Sequence, residues 1–334
     1  MALTESFNIQ RPGQKNGAGA IDAMHIEEYT GVVEKTLERQ SDITPHVPFR
    51  SVRGTSMISN FAIGQSTLQV VTPGQVLDGT KNDFSKKVLH VEKHIAARNV
   101  IPNIEVFQTE YDARKEIGEE HGKLLAKFKD QALAIQVIKA GLSTDSGYAT
   151  APGDGKPAGH YGGSQEVLAA AADALDPAKL YAAIANLLGK MSLKDVDARK
   201  DGLAILVKPD VLYTLIQAEQ LSNVNYITAA GNSVAGWVIK TYGVPLIGTN
   251  NFPGGENIVG HYLDTVNNGN SFSGDYTDVV AAVFSPKALL AGYTLPLSTD
   301  VFYDKLSKGW FVDADEAFSA TTNRHEYAGV ILKP

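Results

Sequence analysis

The stretch Phe49–Gly79, FRSVRGTSMISNFAIGQSTLQVVTPGQVLDG, constrains this chain more than any other. Its apolar and polar residues alternate near period two over Ser56–Gln65 (Met57, Ile58, Phe61, Ile63) and again over Ser66–Val76 (Leu68, Val70, Val71, Val76). Gly54, Gly64, Pro73 and Gly74 punctuate it, so it reads as a long, bent β-hairpin with those two stretches as its arms. A hairpin of this length is marginal alone in water and has to lie on something. No adjoining stretch offers a surface, which points to a second copy of the chain, and to assembly rather than catalysis.

The rest of the composition sets limits. With 334 residues, 43% hydrophobic and 20% charged, the chain has material for a sizeable core in one large domain or two or three modest ones. A net charge of -7 argues against a nucleic-acid binder that works by neutralising phosphates. The absence of cysteine excludes disulfides, thiolate-held metals and a thiol nucleophile, and suits a reducing compartment. The opening MALTESFNIQRPGQ has no apolar signal-peptide core, and no run is long enough to span a bilayer. The expectation is a soluble protein made in a cytoplasm, with no membrane partner.

Along the chain, residues 1 to about 20 are polar and glycine-rich and read as a disordered arm. Ile21, Met24, Tyr29, Val32, Val33 and Leu37 then space a short amphipathic helix, interrupted near Gly31. Val88–Ala96 reads as a strand. The strongest helix follows, with Thr109 and Asp112 at capping-box spacing. Ile117, His121, Leu124, Phe128, Ala132, Ile135 and Ile138 give it one apolar face; Lys123, Lys127, Lys129 and Asp130 fall off that face, and Gly141 stops it. Residues 142–165 form a loop rich in Gly, Pro, Ser and Asp. Helices are expected over Pro177–Leu188 and Val211–Glu219, the latter started by Pro209 and Asp210. Strands are expected at Leu203–Val207, Val244–Gly248, Val279–Phe284 and Ala328–Leu332. The order is α+β, without a regular βαβ repeat.

Motifs for chemistry are missing. Gly155-Lys156 and Gly189-Lys190 lack the rest of a phosphate loop, and Gly17-Ala18-Gly19 lacks the later glycine of a dinucleotide fingerprint. Gly231-Asn232-Ser233-Val234-Ala235-Gly236 is one residue too long for a nucleophile elbow and reads as a loop before Trp237–Ile239. On a strand over Val88–Ala96, His90, Glu92 and His94 would share one side; such a face could hold a metal, but they read as the solvated face of an amphipathic strand. Asp313, Asp315 and Glu316 are too few ligands for a hard cation and read as a solvated turn or salt-bridge partners. His121, on an apolar helix face, reads as a core histidine. No catalytic residue, cofactor site or metal site is assigned, and the chain is not expected to be an enzyme. Basic residues Arg50, Arg53, Lys81, Lys86 and Lys87 follow the hairpin, and acidic residues Asp112, Glu116, Glu119 and Glu120 open the long helix. Such patches on different copies would steer docking and set register.

Several segments, in order, carry a resemblance. Val52–Gly54, running through Phe61 to Pro73-Gly74-Gln75-Val76-Leu77-Asp78, is similar to the extended loop of one family. Tyr111-Asp112-Ala113-Arg114 resembles the start of its long helix. Lys208-Pro209-Asp210, and Tyr242-Gly243-Val244-Pro245-Leu246-Ile247 followed by Asn251-Phe252-Pro253, resemble its later stretches. The family is that of the major capsid proteins of T7-like (podovirus) tailed bacteriophages, with the HK97-type fold.

This resemblance implies an N-terminal arm at 1–45, an extended loop at 46–100 and a peripheral domain at 101–200 with its spine helix at about 109–140. It further implies an axial domain at 201–292 and return strands of the peripheral domain at 293–334. Copies would assemble as pentamers and hexamers into an icosahedral shell around a double-stranded DNA genome, in the bacterial cytoplasm, and remain in the virion. A separate scaffolding protein, a portal protein at one vertex and a decoration protein are implied partners, without sequence-specific nucleic-acid binding. Inter-subunit contacts are expected from Arg53, Pro73, Gly74, Gln75, Asp78, Lys81, Glu116, Glu119 and Glu120. Lys81 and Lys86 lie on the loop, but no partner constellation for a covalent crosslink is identified. Two rival readings are an encapsulin-like compartment shell and a soluble α/β ligand-binding protein.

Overall fold

A computed structural model describes residues 36, 41–64, 66, 68–74, 76, 79, 82, 84–102, 113–146, 148, 160–216, 226–227, 233–234 and 240–334. The expected N-terminal arm and first helix, the Thr109/Asp112 cap, half of the 142–165 loop and Trp237–Ile239 lie outside them. The elements run β1 (Phe49–Ser51), β2 (Met57–Ile63), β3 (Phe84–His90), β4 (Ile95–Pro102), α1 (Ala113–Leu142), β5 (Ser164–Val167), α2 (Pro177–Ser192), β6 (Ala204–Val207) and α3 (Pro209–Ile216). The short strands β7 (Tyr226–Ile227), β8 (Ser233–Val234) and β9 (Lys240–Thr241) follow, then β10 (Val244–Gly248), β11 (Asn257–Ile258), β12 (Gly274–Asp275) and β13 (Val279–Phe284). The chain closes with β14 (Leu289–Asp304), β15 (Gly309–Thr322) and β16 (Ala328–Leu332). Among the described residues no helix is long and apolar enough to cross a membrane.

Two compact units result. One comprises Met1–Pro45, Val91–Asp130 and Tyr293–Phe318; the other comprises His46–His90, Gln131–Gly292 and Ser319–Pro334. The larger unit is built on a six-stranded sheet of order β5-β16-β13-β6-β10-β9. Every residue of β6 (AILV) and β13 (VVAAVF) is buried, as central strands covered on both faces require. They pair antiparallel, with Ala282 opposite Leu206, while β10 runs parallel to β6 and β5 parallel to β16. Helix α2 starts where Asp176 accepts a hydrogen bond from the Ala178 N–H and Pro177 takes the first helical position. Its Leu180, Ile184, Leu187 and Met191 enter a core with Ile205, Val207, Val283 and Ile331. The helix runs to Ser192, one turn beyond the expected end, because Met191 still faces that core.

The long helix departs from its one-faced reading. Ile117 and His121 are buried as expected, but Leu124 is 52% exposed, and Leu125 and Ala126 turn inward instead. From Ala132 to Ile138 every side chain is buried. Gly141 does not stop the helix, which continues to Leu142. A Cβ there would lie 2.7 Å from Val330 Cγ1 and 3.0 Å from the Gly329 carbonyl carbon, so this glycine is the place where β16 passes close to the helix.

In the smaller unit β4 pairs antiparallel with β15 from Ile95↔Glu316 to Pro102↔Gly309. Ile101, Ile117, Leu125, Val301, Val312 and Ala314 form its core. Lys129 and Asp130, expected off the apolar face, are both buried and both partnered. Lys129 Nζ meets Glu316 Oε1 at 2.6 Å. The Asp130 carboxylate accepts from Ser41 Oγ (2.7 Å), Thr44 Oγ1 (2.9 Å) and the N–H groups of Asp42 (2.7 Å), Ile43 (3.3 Å) and Thr44 (3.1 Å). A buried charge is tolerated only when it is satisfied this fully.

The acidic cluster lies on strand β15, not in a turn, and each member takes its own basic side chain as partner. Arg98 donates to both oxygens of Asp313, His94 Nε2 lies 2.6 Å from Asp315, and Lys129 holds Glu316. The single strand expected over Val88–Ala96 is two: β3 ends at His90 and β4 begins at Ile95. His90, Glu92 and His94 therefore share no strand face, and no group of three metal-ligating side chains occurs among the described residues.

Candidate assembly surface

The hairpin exists, but with a different second arm. β2 pairs antiparallel with β3, Met57↔His90 through Ile63↔Phe84. The described residues between them form no strand, and Leu68, Val70, Val71 and Val76 among them are exposed. The sequence FSKKVLH looks too polar to outcompete Leu68–Val76, but pairing is decided by the residues that turn inward. Ile58 lies opposite Leu89 and Ala62 opposite Ser85, and all four are buried.

The inner face of the hairpin is held by its own chain. Asn60 Nδ2 donates to Asn323 Oδ1 at 2.9 Å and to Tyr148 Oη at 3.1 Å, and Tyr148 Oη donates to Asn323 Oδ1 at 2.7 Å. His160 Nε2 lies 3.2 Å from the carbonyl of Ile63 at the end of β2. A Cβ at Gly292 would sit 2.1 Å from Ile58 Cδ1 and 3.0 Å from the Arg50 carbonyl, so only glycine lets the hairpin root lie this close. Burial lowers the pKa of Lys87, opposite Asn60, and raises that of the Tyr148 hydroxyl. Burial also raises the pKa of the Glu326 carboxyl, which lies 3.7 Å from His160 Nδ1.

The outer face has no such cover. Met57, Phe61, Ile63 and Phe84 point to solvent, with Phe61 68% and Phe84 72% exposed. Lys86 lies 6.0 Å from the centre of the Phe61 ring, on the strand position opposite it. The ribbon thus carries one buried face and one apolar face in water, continued by the exposed Leu68 and Val70. Such a patch marks a surface that meets another molecule.

Of the contact residues read from the sequence, Arg53, Pro73 and Gly74 are exposed in the larger unit, and Gly74 has the positive φ of a turn glycine, 94°. Glu119 is half-buried and Glu120 exposed on α1, in the smaller unit. Gln75, Asp78 and Lys81 lie outside the described residues, as does the side chain of Glu116. Phe84 and the Asn60–Tyr148–Asn323 network escaped the sequence reading. The only signal for Phe84 was an isolated aromatic before a polar run, and the network joins residues up to 263 positions apart. Ser233 lies in β8, paired with β7, rather than in a loop.

Comparison with known proteins follows the same direction. A family model described as Gp10A-like, major capsid protein, matches residues 60–290. The major capsid protein of Enterobacteria phage T3 is 27% identical over 148 residues, which is 43% of this chain and 43% of that protein. The chain therefore aligns with less than half the length of that relative. Among solved structures, the capsid of cyanophage P-SCSP1u superposes with a TM-score of 0.71 at 16% identity, covering 88% of this chain and 89% of that one. The mature capsid of bacteriophage PhiM1 gives 0.69 at 24% identity, covering 88% and 87%. At these identities the likeness is one of fold, and it bears out the α+β, HK97-type expectation.

Proposed function

This chain belongs to the Gp10A-like major capsid protein family, and from that premise we propose that its copies assemble as pentamers and hexamers into the icosahedral shell enclosing a double-stranded DNA phage genome. The observation that carries the proposal is the outer face of the β2–β3 hairpin. It is an apolar ribbon held firmly by its own chain on one side and uncovered on the other. A neighbouring subunit is the natural cover, because a closed shell repeats the same contact until symmetry completes it. The role is structural, and the location is the virion, reached from assembly in the bacterial cytoplasm. A scaffolding protein, a portal protein at one vertex and a decoration protein are the partners such a shell uses. The net charge of -7 suits an inner wall that a packaged polyanion slides along rather than adheres to.

The test is to express the full chain with and without a scaffolding protein, and to isolate particles from infected cells. Shells or rings of five and six by electron microscopy, with double-stranded DNA inside the particles from infection, support the proposal. Shells filled with protein and never with DNA would favour an encapsulin-like compartment. A monomer under every condition would return the chain to the ligand-binding reading.

A further inference from the structure

Beside the hairpin root lies a groove of about 380 Å³, lined by Pro48, Arg50, Lys287, Leu289, Asn323 and Arg324 among others, with no carboxylate among the described residues of its walls. Its lining combines apolar side chains with three basic ones, Arg50, Lys287 and Arg324. Lys287 is offset by Asp201 at 2.7 Å, whereas Arg50 is exposed and forms no ion pair among the described residues. Such a groove fits a segment that presents carboxylates beside an apolar side chain.

The solvent side of α1 presents such a segment. Glu120 is exposed, Glu119 is half-buried, and Leu124 is 52% exposed while Leu125 and Ala126 beside it are buried. Glu120 and Leu124 are four residues apart and so share a face of the helix. Leu124 is an apolar side chain that the fold leaves outside in the middle of its longest helix.

We infer that the Glu119–Glu120–Leu124 stripe of one copy docks in the Arg50–Lys287–Arg324 groove of the next. The inference rests on the shell-forming reading above and names one of its contacts. Two different surfaces meet, so the contact is heterologous and propagates from copy to copy, as rings of subunits require. Lys123 is exposed within the stripe and Lys127 beyond it, and Lys127 sets the polarity: the reversed helix would bring its like charge toward Arg50. The groove is also tied to the hairpin. Asn323 Nδ2 donates to the Lys287 carbonyl at 3.2 Å, while Asn323 Oδ1 accepts from Asn60 and Tyr148. The docked helix would therefore press on the residue that holds β2.

The test is a charge swap in the full chain, read as shell yield at low salt on gradients and by electron microscopy. Arg50→Glu alone, and Glu119→Lys with Glu120→Lys, should each cut the yield about tenfold, and the three changes together should restore it to within about threefold of wild type. Leu124→Ser, at an exposed position that does not support the monomer fold, should lower the yield without shifting subunit melting. Wild-type shells together with unaffected single variants, or a triple variant no better than its parts, would overturn the inference. A variant that keeps its shell yield but packages less DNA would also overturn it, by assigning the groove to a polyanion. Failure of the wild type itself to form shells would instead remove the reading beneath it.

Discussion

The carboxy-terminal turns of α1 and the outer face of the β2–β3 hairpin are both apolar, but only the first is covered by its own chain. Ala132 to Ile138 are buried on every side of the helix, and β16 passes so close that position 141 has no room for a Cβ. Phe61 and Phe84 are as hydrophobic as anything in that helix, yet they stand mostly in water. Burying apolar area is worth roughly 25 cal/mol per Å², so the same chemistry stabilises the subunit in one place and is left uncovered by the subunit's own chain in the other. Substitutions in the two regions should therefore separate cleanly: one set lowers the stability of the subunit, the other lowers assembly.

The largest effect is expected inside the helix. Ile135→Ala removes a fully buried side chain and should destabilise the isolated subunit by about 3 kcal/mol, measured by denaturant unfolding. A loss below about 0.5 kcal/mol would mean that the helix is not packed as described. Asp130→Ala comes next. It leaves three backbone N–H groups and two hydroxyls without their acceptor and should cost about 2 kcal/mol or more, with faster hydrogen exchange at Asp42, Ile43 and Thr44. Unchanged exchange there would contradict the clasp.

The burial contrast also has a pH signature. Desolvation holds His121, His261 and His325 below the ordinary imidazole pKa of about 6.5. A depressed folded-state pKa means that the unfolded chain binds the proton more readily. The stability contributed by the neutral rings is full above about pH 6.5 and is lost as pH falls through the folded values. Subunit stability should drop on acidification below that point, and His325→Gln should flatten the drop. A pH profile identical to wild type would argue that His325 is solvated.

What could be read without coordinates follows the same division. β6, β10, β13 and β16 stand out because central strands are continuous apolar runs, and α2 announces itself with Pro177. The second half of α1 hides its environment, since a helix buried all round has no polar stripe to mark its faces. The first four residues of β3, Phe84 to Lys87, are hidden because the inward positions among them are Ser85 and Lys87, which only the partners across the hairpin make sense of. Lys129, Asp130 and Glu316 look like solvated charges in sequence, and only distant partners reveal them as buried. As for the surface, the apolar residues of β2 were visible from the start. Phe84 was not, because its role depends on register.

The smallest expected effect on the subunit is also the most direct test. Phe61→Ser combined with Phe84→Ser should leave the melting and denaturant midpoint of the isolated subunit within about 0.5 kcal/mol of wild type. Electron microscopy of the same preparation should show shells lost or reduced at least tenfold. Normal shells from this variant would contradict the assignment of the hairpin's outer face to assembly, and a subunit that unfolds would show that the face belongs to the fold instead.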